Sequence, residues 1–339
     1  MSSILEADEE GVKLAASEIK AGRLVAFPTE TVYGLGANGL NGEAVLNIFK
    51  VKGRPSDNPL ILHIANKNDV KLLASDIPEY VYELIDKFWP GPLTVVLKAK
   101  DIIPKEVRAG LDTVGIRFPV NKIARDIIKS SGVPIAAPSA NISGRPSPTN
   151  FEDCYNDLKD KDISVVRGGS TDIGIESTVL LCTDYPPRIL RPGKVTAEDI
   201  AKLIGACDDF MESEAVEEAP RSPGQKYGHY MAKKKTILLD MLPGLVDEVL
   251  YKINPNATFI LSRDNRFEDE NKIVLAKYDD PLEASKRYFH ALRKADNMPG
   301  ELIVVQAYSK EGIGKALFNR MIKSASGNVM EDVDEDWIW

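Results

Sequence analysis

Only three cysteines, Cys154, Cys182 and Cys207, occur in 339 residues, widely spaced and odd in number. They have neither the CxxC spacing of a structural zinc site nor the density of a secreted disulfide scaffold. They read as ordinary reduced residues, and nothing in the sequence supports a reactive thiol. Long apolar runs are also missing: no N-terminal segment is long enough for a signal peptide or a membrane span, so a soluble, cytoplasmic protein without a membrane partner is expected. There is no G-x-x-x-x-G-K-[ST] run, which excludes a P-loop phosphate cradle. Gly312-Ile313-Gly314 is a fragment of a dinucleotide fingerprint that lacks its third glycine, and it reads as a helix-start turn, not an NAD site. An excess of positive charge is lacking too, with 43 Lys and Arg against 51 Asp and Glu and a net charge of -8. A chain that grips nucleic acid unaided would carry a basic balance or stripe. Lys233-Lys234-Lys235 is the single such run and reads as the solvated lead-in to a strand, so direct RNA binding is expected to be weak.

What is present is a large apolar content, 43% of the chain, enough for two domains. Residues 24–27, 93–97, 115–118, 164–166 and 178–181 read as strands, and 60–64 as a buried one. Helices are expected near 9–21, 42–51, 78–88, 121–131 and 196–204. After an acidic stretch at 208–221, which marks an exposed connection, four apolar runs at 236–239, 258–261, 272–275 and 301–305 alternate with helical segments, as in a Rossmann-like domain. The fold class is therefore α/β: an N-terminal domain with a twisted mixed sheet, 1–207, and a smaller C-terminal Rossmann-like α/β domain, 235–330. An extended linker, 208–234, joins them, and an acidic tail with two tryptophans, 331–339, is expected to fray unless docked.

The sharpest chemistry lies in Lys52-Gly53-Arg54-Pro55-Ser56-Asp57-Asn58-Pro59, answered downstream by Pro138-Ser139-Ala140-Asn141-Ile142-Ser143-Gly144. Two fixed cations with hydroxyl and amide groups can hold several phosphate oxygens, which points to a polyanionic ligand. A simple helix stop at Gly53 with basic residues in the last turn, and a Ser/Asn-rich turn, explain the two stretches equally well when each is taken alone. Neither stands alone. Phe27-Pro28-Thr29-Glu30-Thr31-Val32-Tyr33-Gly34-Leu35-Gly36 precedes them. Phe88 to Thr94, Val114 to Pro119, Gly174 to Val179 and Ile189 to Gly193 follow, then Ser222-Pro223-Gly224-Gln225-Lys226-Tyr227-Gly228-His229-Tyr230.

In order and content these motifs resemble the YrdC-type family, in its longer two-domain threonylcarbamoyl-AMP synthase form, closely over residues 10–200 and on through the linker motif. The resemblance implies a nucleotidyltransferase that joins L-threonine, bicarbonate or CO2, and ATP into threonylcarbamoyl-AMP with release of pyrophosphate. A partner transferase would pass the group to adenosine 37 of tRNAs reading codons that begin with A, a tRNA modification step. It implies Lys52 and Arg54 as the catalytic cations. Arg54, Asn58, Thr113, Ser139, Asn141, Ser147, Arg191 and Tyr230 match ATP contacts, Tyr230 as part of a lid. Thr31, His63, Arg117, Ala137 and Ser177 match L-threonine contacts. No protein metal site is implied; Mg2+ is expected on the substrate phosphates. Gln225 and Gly228 depart from the family's usual methionine and basic residue in the linker motif.

The residue types suit those roles: an arginine takes a carboxylate bidentately, and hydrogen-bonding groups tell threonine from valine because a missing hydroxyl leaves buried polar atoms unpaired. His63, in an apolar run, reads without the family as a hydrogen-bonded core histidine. Arg191 before Pro-Gly has turn decoration as its alternative to a nucleotide contact. Glu30 and Glu176 read as two among many surface carboxylates, without a visible partner. The rival functions are a non-catalytic RNA-binding module, which net acidity disfavours, and a carbamoyl-adenylate enzyme of hydrogenase maturation, whose zinc-binding cysteines are missing.

Overall fold

The computed structural model describes residues 2–210, 229–241, 246, 249–250, 257–263, 270–277 and 280–331. Most of the acidic connection, the Ser222 to Gly228 part of the linker motif and the tail beyond Glu331 lie outside the described residues. The chain divides into two compact units: unit 1 comprises 1–143, 147–172 and 176–227, and unit 2 comprises 144–146, 173–175 and 228–339.

The strands of unit 1 are β1 (Ser3–Glu6), β2 (Val25–Phe27), β3 (Gly34–Asn38), β4 (Ile61–His63), β5 (Leu93–Lys98), β6 (Thr113–Arg117), β7 (Ile135–Ala136), β8 (Ser164–Arg167), β9 (Thr178–Leu181) and β10 (Arg188–Arg191). Its helices are α1 (Glu9–Lys20), α2 (Gly42–Lys52), α3 (Val70–Leu73), α4 (Glu79–Phe88), α5 (Lys105–Arg108), α6 (Lys122–Ser131), α7 (Phe151–Leu158) and α8 (Ala197–Ile204). The strands form one sheet in the order β1-β8-β2-β3-β7-β4-β6-β5-β9-β10. Parallel pairs such as β4 with β6 sit beside antiparallel ones such as β5 with β6, so the sheet is mixed, as expected.

Local chemistry sets the helix ends. Asp8 accepts from the Gly11 amide to cap α1, and Thr196 with Asp199 closes a reciprocal capping box on α8. Apolar residues then divide between the two sheet faces by the strand period of two. Val25 and Phe27 join Val12, Ala15 and Ile19 of α1 and Ile127 of α6 in one core, while Ala26 joins Val45 and Ile48 of α2 and Leu84 of α4 in the other. β3, Gly-Leu-Gly-Ala-Asn, has little strand propensity of its own. Its Gly36 is required by close packing, because a Cβ there would lie 2.6 Å from the Phe27 ring and 2.8 Å from Ile135 Cγ2.

Unit 2 contains β11 (Lys235–Leu239), β12 (Ala257–Arg263), β13 (Lys272–Ala276), β14 (Leu302–Gln306) and β15 (Val329–Met330), with α9 (Pro281–Asp296) and α10 (Ile313–Ser324). All ladders are parallel, in the order β13-β12-β14-β11-β15. The alternating pattern thus yields a Rossmann-like sheet, with the first strand exchanged against the fourth relative to the common doubly wound order. Gly312 is the N-cap of α10, as a helix-start turn requires. The lysine run is structural in part: Lys234 Nζ donates to the carbonyls of Ala295 at 2.8 Å and Met298 at 2.5 Å, placing a cation on the end of α9.

Candidate active site

The C-terminal ends of the parallel strands β4 and β6 carry His63 and Arg117, which are directly opposite in register, and Thr94 of β5 is opposite Arg117 on the other side. Directly opposed residues share a sheet face, so these three side chains form one cross-strand row. All are buried, at 3%, 4% and 0% exposure. The row continues through hydrogen bonds. Thr94 Oγ1 meets Ser177 Oγ at 2.8 Å, and Arg191 donates from Nε to the Ser177 carbonyl at 3.0 Å and from Nη2 to the Ser177 hydroxyl at 3.2 Å. Arg191 is therefore a buried member of the network, which sets aside the alternative of mere turn decoration.

Arg117 is also the hub of a charge pair. Its Nη2 donates to Glu30 Oε1 at 2.6 Å, its Nε reaches the Gly91 carbonyl at 3.4 Å, and the second Glu30 oxygen accepts from the Val120 amide at 3.3 Å. Next to Glu30, the hydroxyls of Thr29 and Thr31 meet at 2.8 Å in a fully buried turn. Ala137, also buried, closes the neighbouring backbone by donating its amide to the Ile61 carbonyl. The structure thus brings Thr31, His63, Arg117, Ala137 and Ser177 onto neighbouring strand ends and turns. His63 departs from a satisfied core histidine: its Nδ1 is buried without a hydrogen-bond partner among the described residues. Burial first, and the Arg117 charge second, pull its imidazole down to about 3, so it is neutral at physiological pH.

The phosphate candidates assemble around the end of α2. Gly53, in the left-handed region at φ 61°, stops the helix and leaves Lys52 as its last residue. The Lys52 ammonium, 2% exposed, donates to the carbonyls of Ser139 at 2.6 Å and Asn141 at 2.5 Å, and the Lys52 carbonyl accepts from the Ser143 amide. The two stretches that answer each other in the sequence are therefore joined in space by this lysine. Ser139 Oγ in turn donates to Asn141 Oδ1 at 2.5 Å. Asn58 is fully buried, and neither atom of its amide has a hydrogen-bond partner among the described residues, an arrangement that calls for a ligand or water. Arg54 follows half-buried, its amide on the Phe49 carbonyl.

Three further residues are nucleotide candidates. Ser147 is buried and donates to Glu176 Oε1 at 2.6 Å. Thr113 opens β6, four residues before Arg117 and so about 13 Å along the strand from it. Tyr230 is buried in unit 2, its ring stacked on Phe289 at 4.9 Å with the Arg320 guanidinium 5.9 Å away. Two residues were misread from sequence: Glu30 and Glu176 are not surface carboxylates but are 1% and 7% exposed, and each has a partner. Their setting was the available signal, since each stands between small or apolar residues without a neighbouring lysine. Thr94 passed unnoticed inside an apolar strand.

Other groups offer no competing chemistry. Cys154, Cys182 and Cys207 form no disulfide among the described residues, the first two are buried, and burial pushes the Cys207 thiol up to about 12. Among the described residues no three His, Cys, Asp or Glu side chains cluster as metal ligands, and no helix is long and apolar enough to cross a membrane. A cavity of about 770 Å3, walled by Leu40, Ile64, Trp89, Phe118, Ile128 and Val133, contains none of the residues singled out above.

Comparison with known proteins identifies the family. Residues 17–193 match the family described as Telomere recombination, which groups Sua5, YciO and YrdC, and residues 195–326 match the family described as Threonylcarbamoyl-AMP synthase, C-terminal domain. The threonylcarbamoyl-AMP synthase of Pyrococcus abyssi is 39% identical over 330 residues, covering 96% of each chain. That of Bacillus subtilis is 38% identical over 336 residues, again covering 96% of each. The crystal structure of P. abyssi Sua5 complexed with L-threonine superposes with a TM-score of 0.89 at 36% identity, over 98% of this chain and 100% of that one.

Proposed function

The chain belongs to the two-domain threonylcarbamoyl-AMP synthase family, and on that footing we propose that it condenses L-threonine, bicarbonate or CO2, and ATP to threonylcarbamoyl-AMP and pyrophosphate, with water released when bicarbonate supplies the carbon. The observation that carries this reading is the cross-strand row. A buried guanidinium with donors left over from Glu30 and Gly91 stands beside a buried neutral imidazole with an unpartnered nitrogen. Such a pair can receive a carboxylate on one side and a hydroxyl on the other. Ser177 and Thr31 add hydroxyls on either flank.

Bicarbonate, where it supplies the carbon, first loses water to give CO2; the threonine amine then attacks CO2, gives a proton to solvent and becomes a carbamate. A carbamate oxygen then attacks the α-phosphorus of ATP as the bond to pyrophosphate breaks, so the new P–O bond replaces the old one. Protein groups contribute position and charge stabilisation rather than covalent chemistry. Lys52, Arg54 and Asn58, with the Ser139 to Asn141 turn and Arg191, supply cations and amides for the phosphates and nucleotide. Ser147, Thr113 and Tyr230 are further proposed nucleotide contacts. Magnesium would accompany ATP, held mainly by the substrate's own phosphates, and would supply charge neutralisation there. The adenylate would then pass, in the cytoplasm, to a transferase complex acting on tRNA.

The test is pyrophosphate release from ATP and Mg2+ with bicarbonate, scanning the amino acids one at a time. Release confined to threonine, with the mass of threonylcarbamoyl-AMP in the product, is expected. Absence of threonine-dependent release, together with salt-sensitive RNA binding, would replace this reading with a binding module.

A further inference from the structure

We propose that Glu30 is a positioning residue for the reaction: it aims the Arg117 guanidinium at the substrate carboxylate, using the Val120 amide as its own anchor. The inference rests on the reading that the site takes L-threonine.

The geometry is specific to a carboxylate. Glu30 receives two donors on two different oxygens, Arg117 Nη2 on Oε1 and the Val120 amide on Oε2, at 2.6 Å and 3.3 Å. A carboxylate satisfies both because it is acceptor-only. A glutamine of the same shape cannot, because its amino group must face one of two donors. Val120 follows β6 by three residues, so the carboxylate ties the strand-end side chain to the turn that leaves the same strand. With Nη2 on Glu30 and Nε on the Gly91 carbonyl, two edges of the guanidinium plane are fixed, and the Nη1 group keeps no protein acceptor among the described residues. A guanidinium fixed in plane before substrate arrives spends no binding energy on orientation.

Burial makes the pairing costly to break. The two side chains are 5% and 1% exposed, so an unmatched Arg117 would be a desolvated cation seeking another acceptor. A purely structural ion pair would lower stability and depress all steps alike. A positioning role instead appears selectively in the use of threonine.

Glu30→Gln is the variant, assayed by pyrophosphate release with ATP and threonine varied separately. The KM for threonine should rise between about 10-fold and 100-fold, the range that follows from losing a hydrogen bond to a charged group, while the KM for ATP stays within about twofold and kcat at saturating threonine is largely kept. An unchanged KM for threonine, or equal rises for both substrates, overturns the proposal. If the glutamine variant does not fold, Glu30→Asp keeps the charge but withdraws it by one methylene. The same selective rise is expected, and its absence overturns the proposal equally. Wild-type protein without any threonine-dependent release would instead bring down the assignment of the reaction, and this proposal with it. An active wild type with an indifferent Glu30→Gln would bring down this proposal alone.

Discussion

His63 offers a pH experiment whose size follows from its surroundings. Its side chain is buried at the end of β4, and burial followed by the Arg117 charge holds its pKa at about 3, against an ordinary value of 6.5. In the unfolded chain it titrates near the ordinary value. A folded pKa below the unfolded one means that the unfolded state takes up a proton which the native state refuses. The stability that goes with the neutral imidazole is therefore fully present above pH 6.5 and is lost as the pH falls toward 3. The loss accumulates at about 1.4 kcal/mol per pH unit. Between pH 7.5 and pH 5.0 it amounts to about 2 kcal/mol, and this hardly depends on whether the folded value is 3 or 4, because both lie below the window. The quantity to measure is a difference between the two proteins. Urea unfolding of wild type and His63→Gln at both pH values should show the wild-type advantage shrinking by about 2 kcal/mol on acidification. A difference that stays constant between the two would refute the argument and imply that His63 reaches solvent or a partner that accepts its charged form.

Other perturbations probe different parts of the molecule. Lys52→Ala and Arg54→Ala should each abolish threonine-dependent pyrophosphate release, since the first removes the ammonium that holds the Ser139 and Asn141 carbonyls; near-normal turnover in both would remove these cations from the mechanism. Thr94→Val keeps the shape but deletes the hydroxyl on Ser177. It should cost about 1 kcal/mol of stability and raise the KM for threonine more than that for ATP; equal effects on the two would deny the row a substrate role. Gly36→Ala would press a methyl group against the Phe27 ring and Ile135. A loss of about 1–3 kcal/mol is expected, and an unshifted urea midpoint would contradict the close packing of β3.

Much of the fold was legible because periodicity and caps agreed. The stretches read as helices near 9–21, 42–51, 78–88, 121–131 and 196–204 correspond to α1, α2, α4, α6 and α8, and the apolar runs correspond to β2, β4, β5, β6, β8 and β9. Four strands of unit 1 were not anticipated, for separate physical reasons. β3 is built on glycines that packing demands and that propensity penalises. β7 has only two residues and takes its identity from neighbours on both sides. β1 is a largely exposed edge strand, and β10 carries an arginine at each end. In each case long-range pairing overrides the local pattern, and a local reading has no access to the partner.

The site divides along the same line. Residue types pointed to Lys52, Ser139 and Asn141 separately, but only the fold explains why two stretches 87 residues apart belong together: one buried ammonium bridges them. The sequence also set capping and phosphate binding against each other as explanations of Lys52-Gly53-Arg54, and the structure removes the opposition. Gly53 ends α2 in the left-handed region, and that stop leaves Lys52 at the helix terminus, where its ammonium reaches the Ser139 to Asn141 turn. Capping is the means by which the cation is placed. Glu30 teaches the converse, because an acidic residue surrounded by threonines gives no local hint of its partner. Its meaning depends on an arginine 87 positions away, at the end of β6. Buried polar pairs of this kind are the least legible part of a sequence, since each half looks like surface until the other half is found. They are also where isosteric substitution is most informative, because shape is kept and only the pairing is lost.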